Sequence, residues 1–369
     1  MRICFVVTEI FHWGKYGGFG SLTRSIGSEL VKRGIEVFVV VNKGKGQRSV
    51  EILDGMVILG YPLEEKRLRI PAIKHLSMKK VYRLCDADVY HSEEPSLGTY
   101  MAMNAMPHRK HIVTSQDPVD EKDLEILYPF YPVLHTVVRG KIYFRIKRRL
   151  IREAVREADA VYCQAKYIIP KVKSMYELSK EPGFLPNPVK IPEGKIKKAE
   201  EPTVCFLARW DPIKRPEIFF SLAKEFPNVK FTALGKAHDE KRDQNLRKKY
   251  SNISNLEMTG FTSEEEKSKI LEKSWILINT SVRECLPVAF LETAAHKCAI
   301  LSSNNPDDFA KNFGYHVTDD NYAKGLRYLL ENDIWREKGE KGYHYVKEVH
   351  ELNKVINQHI KVHKELCRG

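Results

Sequence analysis

Two copies of a doubly wound α/β architecture are predicted by three observations. Short apolar runs alternate with helical patterns along the chain, a β-α-β opening at the N-terminus recurs near residue 203, and the length is 369 residues. Alternating strands and helices imply parallel sheets covered on both faces. The length suits two domains at roughly 100–200 residues each. The fold class expected is therefore α/β, with two Rossmann-like parallel-sheet domains.

Residues 2–7 read as the first buried strand, 20–33 as a helix and 36–41 as the next strand, with further strands at 55–59, 111–114 and 160–163. The turn-rich Pro186-Asn187-Pro188-Val189 and Ile191-Pro192-Glu193-Gly194, followed by a charged run to Glu201, read as a linker. Beyond it come a strand from Thr203, a helix over 215–225, a strand Val229–Leu234, and strands over 275–280 and 299–303. From residue 334 the pattern reads as long helix to the end, with Val346, Val349, Leu352, Val355, Ile356 and Ile360 at helical spacing. The expected organisation is a first domain over 1–185, a linker over 186–201, a second domain over 202–333 and a C-terminal helical segment over 334–369.

The composition, 43% hydrophobic and 30% charged, excludes whole-chain disorder, collagen and a pure coiled coil. Net charge is +13, and residues 1–197 carry 33 basic against 22 acidic side chains, whereas 198–369 carry 28 against 26. The excess sits in the first half, in Lys66, Arg67, Arg69, Lys74, Lys79, Lys80 and Arg83, then Arg139, Lys141, Arg145, Lys147, Arg148, Arg149 and Arg152. Both stretches interleave cations with apolar residues, as either a solvated helix face or an anionic-surface contact would. The seven cysteines contain no Cys-x-x-Cys pair and are odd in number, which argues for reduced thiols and against a structural zinc site or disulfide framework. No run of about 18 apolar residues spans a membrane, and the apolar start Met1–Val7 is too short for a signal peptide.

Ligands of doubly wound sheets collect where strand C-termini meet helix N-termini. The first such loop holds Gly14, Gly17, Gly18 and Gly20. Glycines there admit a phosphate to the backbone N–H groups, or merely make a tight turn. Thr23 breaks the dinucleotide pattern after Gly18 and Gly20. After the Thr203 strand, Arg209 and Lys214 lie five apart, a planar fork and a point charge able to converge on a diphosphate or simply to be solvated. After the 275–280 strand, Glu284 falls in a loop and Glu292 on a helix whose first turn would contain Pro287. Carboxylates so placed accept hydrogen bonds from sugar hydroxyls, or cap and decorate the helix.

The glycine loop, the Arg/Lys pair and two glutamates eight apart occur in the order found in the retaining nucleotide-sugar glycosyltransferases of family four, and the chain resembles that family over nearly its whole length. The resemblance implies the glycosyltransferase-B fold: two domains facing across a cleft, acceptor on the first, nucleotide-sugar on the second, and a C-terminal helix crossing back. It implies that Gly17 and Gly18 adjoin the diphosphate and sugar, and that Arg209 and Lys214 bind the diphosphate as electrostatic catalysts. Glu284 then lies by the donor sugar and Glu292 on the ribose. Leu286, Pro287 and Val288 fall where the family uses backbone N–H groups on sugar and phosphate, though Pro287 has none. Gly260 and Phe261 fall near the base.

The chain departs from the family at three positions. Ala208-Arg209 and Lys214-Arg215 replace Gly-Arg and Lys-Gly, and Gln116 stands where members commonly carry a histidine. Gln116 cannot titrate but can hydrogen-bond a sugar hydroxyl. His91 resembles the histidine ending the preceding strand, either a structural residue or, with Gly20, Glu93 and Gln116, an acceptor or sugar contact. The expectation is a metal-independent retaining hexosyltransferase using a UDP- or GDP-linked donor, GDP-mannose among them, and needing no cofactor. Its acceptor hydroxyl would be lipid-linked or on a glycan. A cytoplasmic location is expected, with peripheral contact to an anionic membrane through the first domain and no nucleic-acid partner. The alternatives are a nucleotide-sugar epimerase or phosphorylase on the same scaffold, and a non-catalytic anionic-surface binder.

Overall fold

A computed structural model describes residues 1–13, 18–43, 46–62, 71–130 and 138–368, with the backbone alone at 71–77 and 138–144. The chain divides into two compact units. One comprises Met1–Pro118, Thr136–Pro188 and Asn353–Gly369, the other Val119–His135 and Val189–Leu352.

Among the described residues the first unit holds eight strands: β1 Arg2–Val6, β2 Glu36–Lys43, β3 Val50–Leu53, β4 Met56–Pro62, β5 Val89–Ser92, β6 Lys110–Ser115, β7 Ala160–Cys163 and β8 Gly183–Phe184. Their order is β3-β4-β2-β1-β5-β6-β7-β8. β1 pairs in parallel with both β2 and β5, so the direction of winding reverses between β1 and β5. The sheet is not wholly parallel, because β3 runs antiparallel to β4. Asp54 and Gly55, both at positive φ, form the two-residue turn that such a hairpin needs. The helix Gly18–Lys32 buries Leu22, Ile26 and Leu30, one residue per turn on one face.

The second unit holds β9 Thr203–Leu207, β10 Lys230–Leu234, β11 Leu256–Gly260, β12 Ile276–Asn279, β13 Ala299–Ser302 and β14 Gly314–His316. They are ordered β11-β10-β9-β12-β13-β14, all parallel. Winding reverses between β9 and β12. Its core is aromatic, with Phe206, Trp210, Phe219, Phe220, Phe231 and Trp335 fully buried.

The long C-terminal helix breaks in two, Ile334–Val349 and Leu352–Arg368. Val189 causes the break: its N–H donates to the His350 carbonyl (2.7 Å) and its carbonyl accepts from the Leu352 N–H (3.0 Å). Backbone groups committed to another strand of chain cannot also continue the helical ladder. Among the described residues no helix is long and apolar enough to cross a membrane.

Candidate functional site

In the second unit the predicted residues gather on loops after β9 and β12, the pair flanking the winding reversal. A short 3₁₀ turn, Pro212–Lys214, follows β9, and the loop after β12 is strapped to it by the Val282 N–H on the Ile213 carbonyl (2.9 Å). Across this strap Lys214 Nζ donates to Glu284 Oε1 at 2.5 Å, both side chains being less than one-fifth exposed. The turn is held further by Thr280, whose hydroxyl lies 2.6 Å from the Lys214 carbonyl and 2.9 Å from that of Arg215.

Arg215 explains one departure from the family pattern. Its φ is +45°, the left-handed region that a glycine adopts without steric cost. The arginine compensates through its side chain: Nε donates to the Thr280 carbonyl (2.7 Å) and Nη2 lies 3.1 Å from Asp320. The Arg209 guanidinium pairs elsewhere than the Lys214 ammonium. Its Nη1 lies 3.0 Å from His238 Nδ1, and its Nε lies 3.5 Å from Asp211.

Two asparagines that sequence reasoning missed set the orientation of Glu284. Asn304, after β13, accepts from the Glu284 N–H (2.9 Å) and donates to the Ser281 carbonyl (2.6 Å). Asn279, at the end of β12, donates to Glu284 Oε1 (3.4 Å) and accepts from Ser302 (3.2 Å). Residue type and position at strand C-termini were the only signals available for them.

Leu286 is buried and Pro287 precedes the helix Val288–Ala295 as its N-cap, at φ −72° and ψ 141°. Pro287 is therefore not the first-turn residue expected, because its extended ψ places it outside the helix. Pro287 makes no side-chain capping bond, and the positive end of the helix dipole lies at this end of the loop after β12.

Glu292 projects from the second turn, and Lys267 holds it at 2.6 Å. Lys267 comes from the helix Glu264–Lys273, started by a reciprocal capping box between Ser263 and Glu266. Burial pushes the Glu292 carboxyl upward, with Lys267 opposing it. Burial works against the Lys267 ammonium, yet Glu292 and Glu264 raise it above its ordinary value. Gly260 ends β11 at φ +85°, bonded through its carbonyl to the Gly235 N–H (2.8 Å). Phe261 beside it is 61% exposed, a large aromatic surface at the strand terminus.

In the first unit a recess opens where β1 and β5 end, lined among others by Thr8, Glu9, Phe19, Glu93, Glu94 and Gln116. Gly20 is buried and donates its N–H to Glu9 (3.0 Å). Gly18 is exposed, and an added Cβ there meets open space. Packing therefore does not demand a glycine at 18. Gly17 lies outside the described residues, as do Gly14, Lys66, Arg67 and Arg69.

Gln116 is buried in an amide network. Its side chain donates to Glu93 (3.3 Å) and accepts from Asn187 (2.9 Å), and its N–H donates to Glu94 (2.7 Å). Gln164 donates to its carbonyl (3.1 Å). Burial pushes the Glu93 carboxyl up to about 7, the Gln116 amide holding it back. His91 does not reach the recess. It is fully buried, with Nε2 2.7 Å from Thr114 Oγ1 and Nδ1 3.0 Å from His363 Nε2. Of its two readings, the structural one fits.

The model of the glycosyl transferases group 1 matches residues 190–348, and that of glycosyltransferase family 4 matches residues 16–191. The two abut and together span nearly the whole chain. It belongs to the family-4 glycosyltransferases. Solved glycosyltransferase-B structures agree with this family-4 chain in fold. Sucrose-phosphate synthase from Thermosynechococcus elongatus superposes with a TM-score of 0.76 at 14% identity, over 99% of this chain and 98% of that one. HepE of Anabaena in complex with UDP-glucose gives 0.71 at 13% identity, over 99% and 100%. TarM of S. aureus, solved with UDP among its ligands, gives 0.68 at 13% identity, over 98% and 99%. No curated protein matches the sequence significantly. The family-4 chain thus has the glycosyltransferase-B fold, two parallel-sheet α/β domains.

Proposed function

We propose that this glycosyltransferase transfers a hexose from a nucleoside diphosphate-sugar to an acceptor hydroxyl with retention of anomeric configuration and without a metal at the transfer step. The observation that carries this is the Lys214–Glu284 pair at the winding reversal of the second unit, beside a helix N-terminus. A cation and a helix N-terminus suit a diphosphate whose negative charge grows as it departs. In this reading Arg209 and Lys214 take the diphosphate, and Glu284 faces the sugar. Glu292 accepts from the ribose hydroxyls, Gly260 and Phe261 adjoin the base, and Leu286 and Val288 present the helix start. The bond from the anomeric carbon to the diphosphate oxygen breaks, the acceptor oxygen bonds the same face, and its proton passes to the departing diphosphate.

In the first unit, the recess that Glu93 and Gln116 line would take the acceptor. Gln116 acts there by holding Glu93, since its own amide is committed. HepE binds UDP-glucose and TarM binds UDP, which favours a uridine nucleotide over guanosine. A thermal-shift panel of UDP, GDP, ADP and their sugars tests this: UDP should give the largest shift, and no shift with any nucleotide would refute the reading. Retention is checked by the anomeric coupling of the transferred sugar.

The basic helix Val138–Glu157 supports a lipid-linked acceptor reached at the cytoplasmic membrane face. Arg148 and Arg149 are exposed on it together with Ile146, 54% exposed, a mixture that suits an anionic lipid surface. Side chains of Arg139 and Lys141 lie outside the described residues. Co-sedimentation with phosphatidylglycerol vesicles at low salt, lost at high salt, is the expected result. Absence of binding would refute it.

A further inference from the structure

We propose that His91, His359 and His363 form a structural site for a divalent transition-metal ion, with zinc the best fit, which fastens the C-terminal helix Leu352–Arg368 to the end of β5. One ring nitrogen of each, across the three, lies within 4.8 Å of the others, and all three side chains are buried. Zinc bound tetrahedrally at about 2.0–2.1 Å from each imidazole holds the ligating nitrogens about 3.4 Å apart and the ring centres about 5 Å apart. His91 Nδ1 and His363 Nε2 face each other at 3.0 Å. The ring centres are 5.2 Å (His91–His363), 5.8 Å (His91–His359) and 6.1 Å (His359–His363) apart. The three rings supply three of the four tetrahedral positions, and His359, whose ring centre is the farthest from the other two, must move inward.

The surroundings suit the ion as well. His359 and His363 lie four apart on one helix face, so both project toward β5. With Nδ1 of His91 on the metal, its Nε2–H donates to Thr114 Oγ1 (2.7 Å), the outer contact that fixes tautomer and ring orientation in histidine–zinc sites. A buried dication needs a nearby anion. The carboxyl of Glu93 is the one at hand: its Oε1 lies 3.8 Å from His91 Nε2, is buried, and has no hydrogen-bond partner. His359 Nδ1 is likewise buried without a partner. Three neutral nitrogen donors favour zinc, cobalt or nickel over magnesium or calcium. Cysteine number and spacing, which argue against a structural zinc site, carry no information on histidines 272 residues apart.

The test uses the full chain, loaded with zinc chloride and dialysed exhaustively into metal-free buffer, against the double variant His359→Leu/His363→Leu. The wild type should retain about one equivalent of zinc. At a hundredfold excess over Kd its thermal midpoint should rise by about 5–10 °C. The double variant should retain none and gain no midpoint shift, while its UDP-induced shift persists as the control for folding. Zinc retained equally by the variant, or by neither protein, overturns the proposal. Should the variant not fold, cobalt chloride added to the wild type decides. Intense tetrahedral d–d bands without thiolate charge transfer support the site, and weak octahedral bands or none overturn it.

Discussion

The pairing of Lys214 with Glu284 makes a prediction whose sign is its strength. In the free protein the ammonium already has a carboxylate partner at 2.5 Å, and both are mostly shielded from water. A diphosphate must then bind a cation that is half neutralised and approach a carboxylate of like charge. At an effective dielectric of about 20, unit charges about 6–8 Å apart interact by about 2–3 kcal/mol, and screening by ions and residual solvent reduces this to about 1 kcal/mol. Glu284→Gln, which keeps shape and the Asn279 contact, should therefore bind UDP about 5-fold more tightly by isothermal titration calorimetry. Lys214→Ala removes a charge-assisted hydrogen bond of about 1.5–3 kcal/mol and should weaken UDP binding about 10- to 100-fold. Both variants should lose transfer, read as UDP release in the presence of acceptor, by about 10²-fold or more. Weaker UDP binding by Glu284→Gln, or unchanged binding by Lys214→Ala, would falsify the placement of the diphosphate at Lys214.

Glu292→Ala should lower affinity for UDP about 10-fold yet leave that for 2′,3′-dideoxy-UDP unchanged; an equal loss for both would deny a contact with the ribose hydroxyls. Arg215→Gly relieves about 1 kcal/mol of left-handed strain but loses the contacts to Thr280 and Asp320, so urea unfolding should show a net loss of about 1–2 kcal/mol, and a gain would mean those contacts contribute nothing. Gln116→Leu removes the amide that donates to buried Glu93 and accepts from Asn187 and should cost about 2–3 kcal/mol by the same measurement, whereas a neutral result would show that the amide network is not needed for folding.

The sequence by itself determined the α/β class, because hydrophobic period and strand length are local properties written into each segment. It singled out Arg209, Lys214, Glu284 and Glu292 as candidates, through the order they share with family four and the rule that ligands collect where strand ends of a doubly wound sheet meet helices. It could not order those strands, and so could not show that the loops carrying Lys214 and Glu284 flank the winding reversal. Turn chemistry was legible at Asp54-Gly55 but outweighed by the parallel pattern around it. The break at His350 was not legible, since the apolar spacing runs on across it and the backbone of Val189, distant in sequence, decides the matter. Likewise only tertiary structure showed that Lys267 is paired to Glu292, that Asn279 and Asn304 orient Glu284, and that Gln116 is a buried scaffold for Glu93. The gathering of His91 with His359 and His363 is the extreme case. Hydrogen bonds and ion pairs form between residues that folding brings within about 3 Å, and separation along the chain carries no record of that distance.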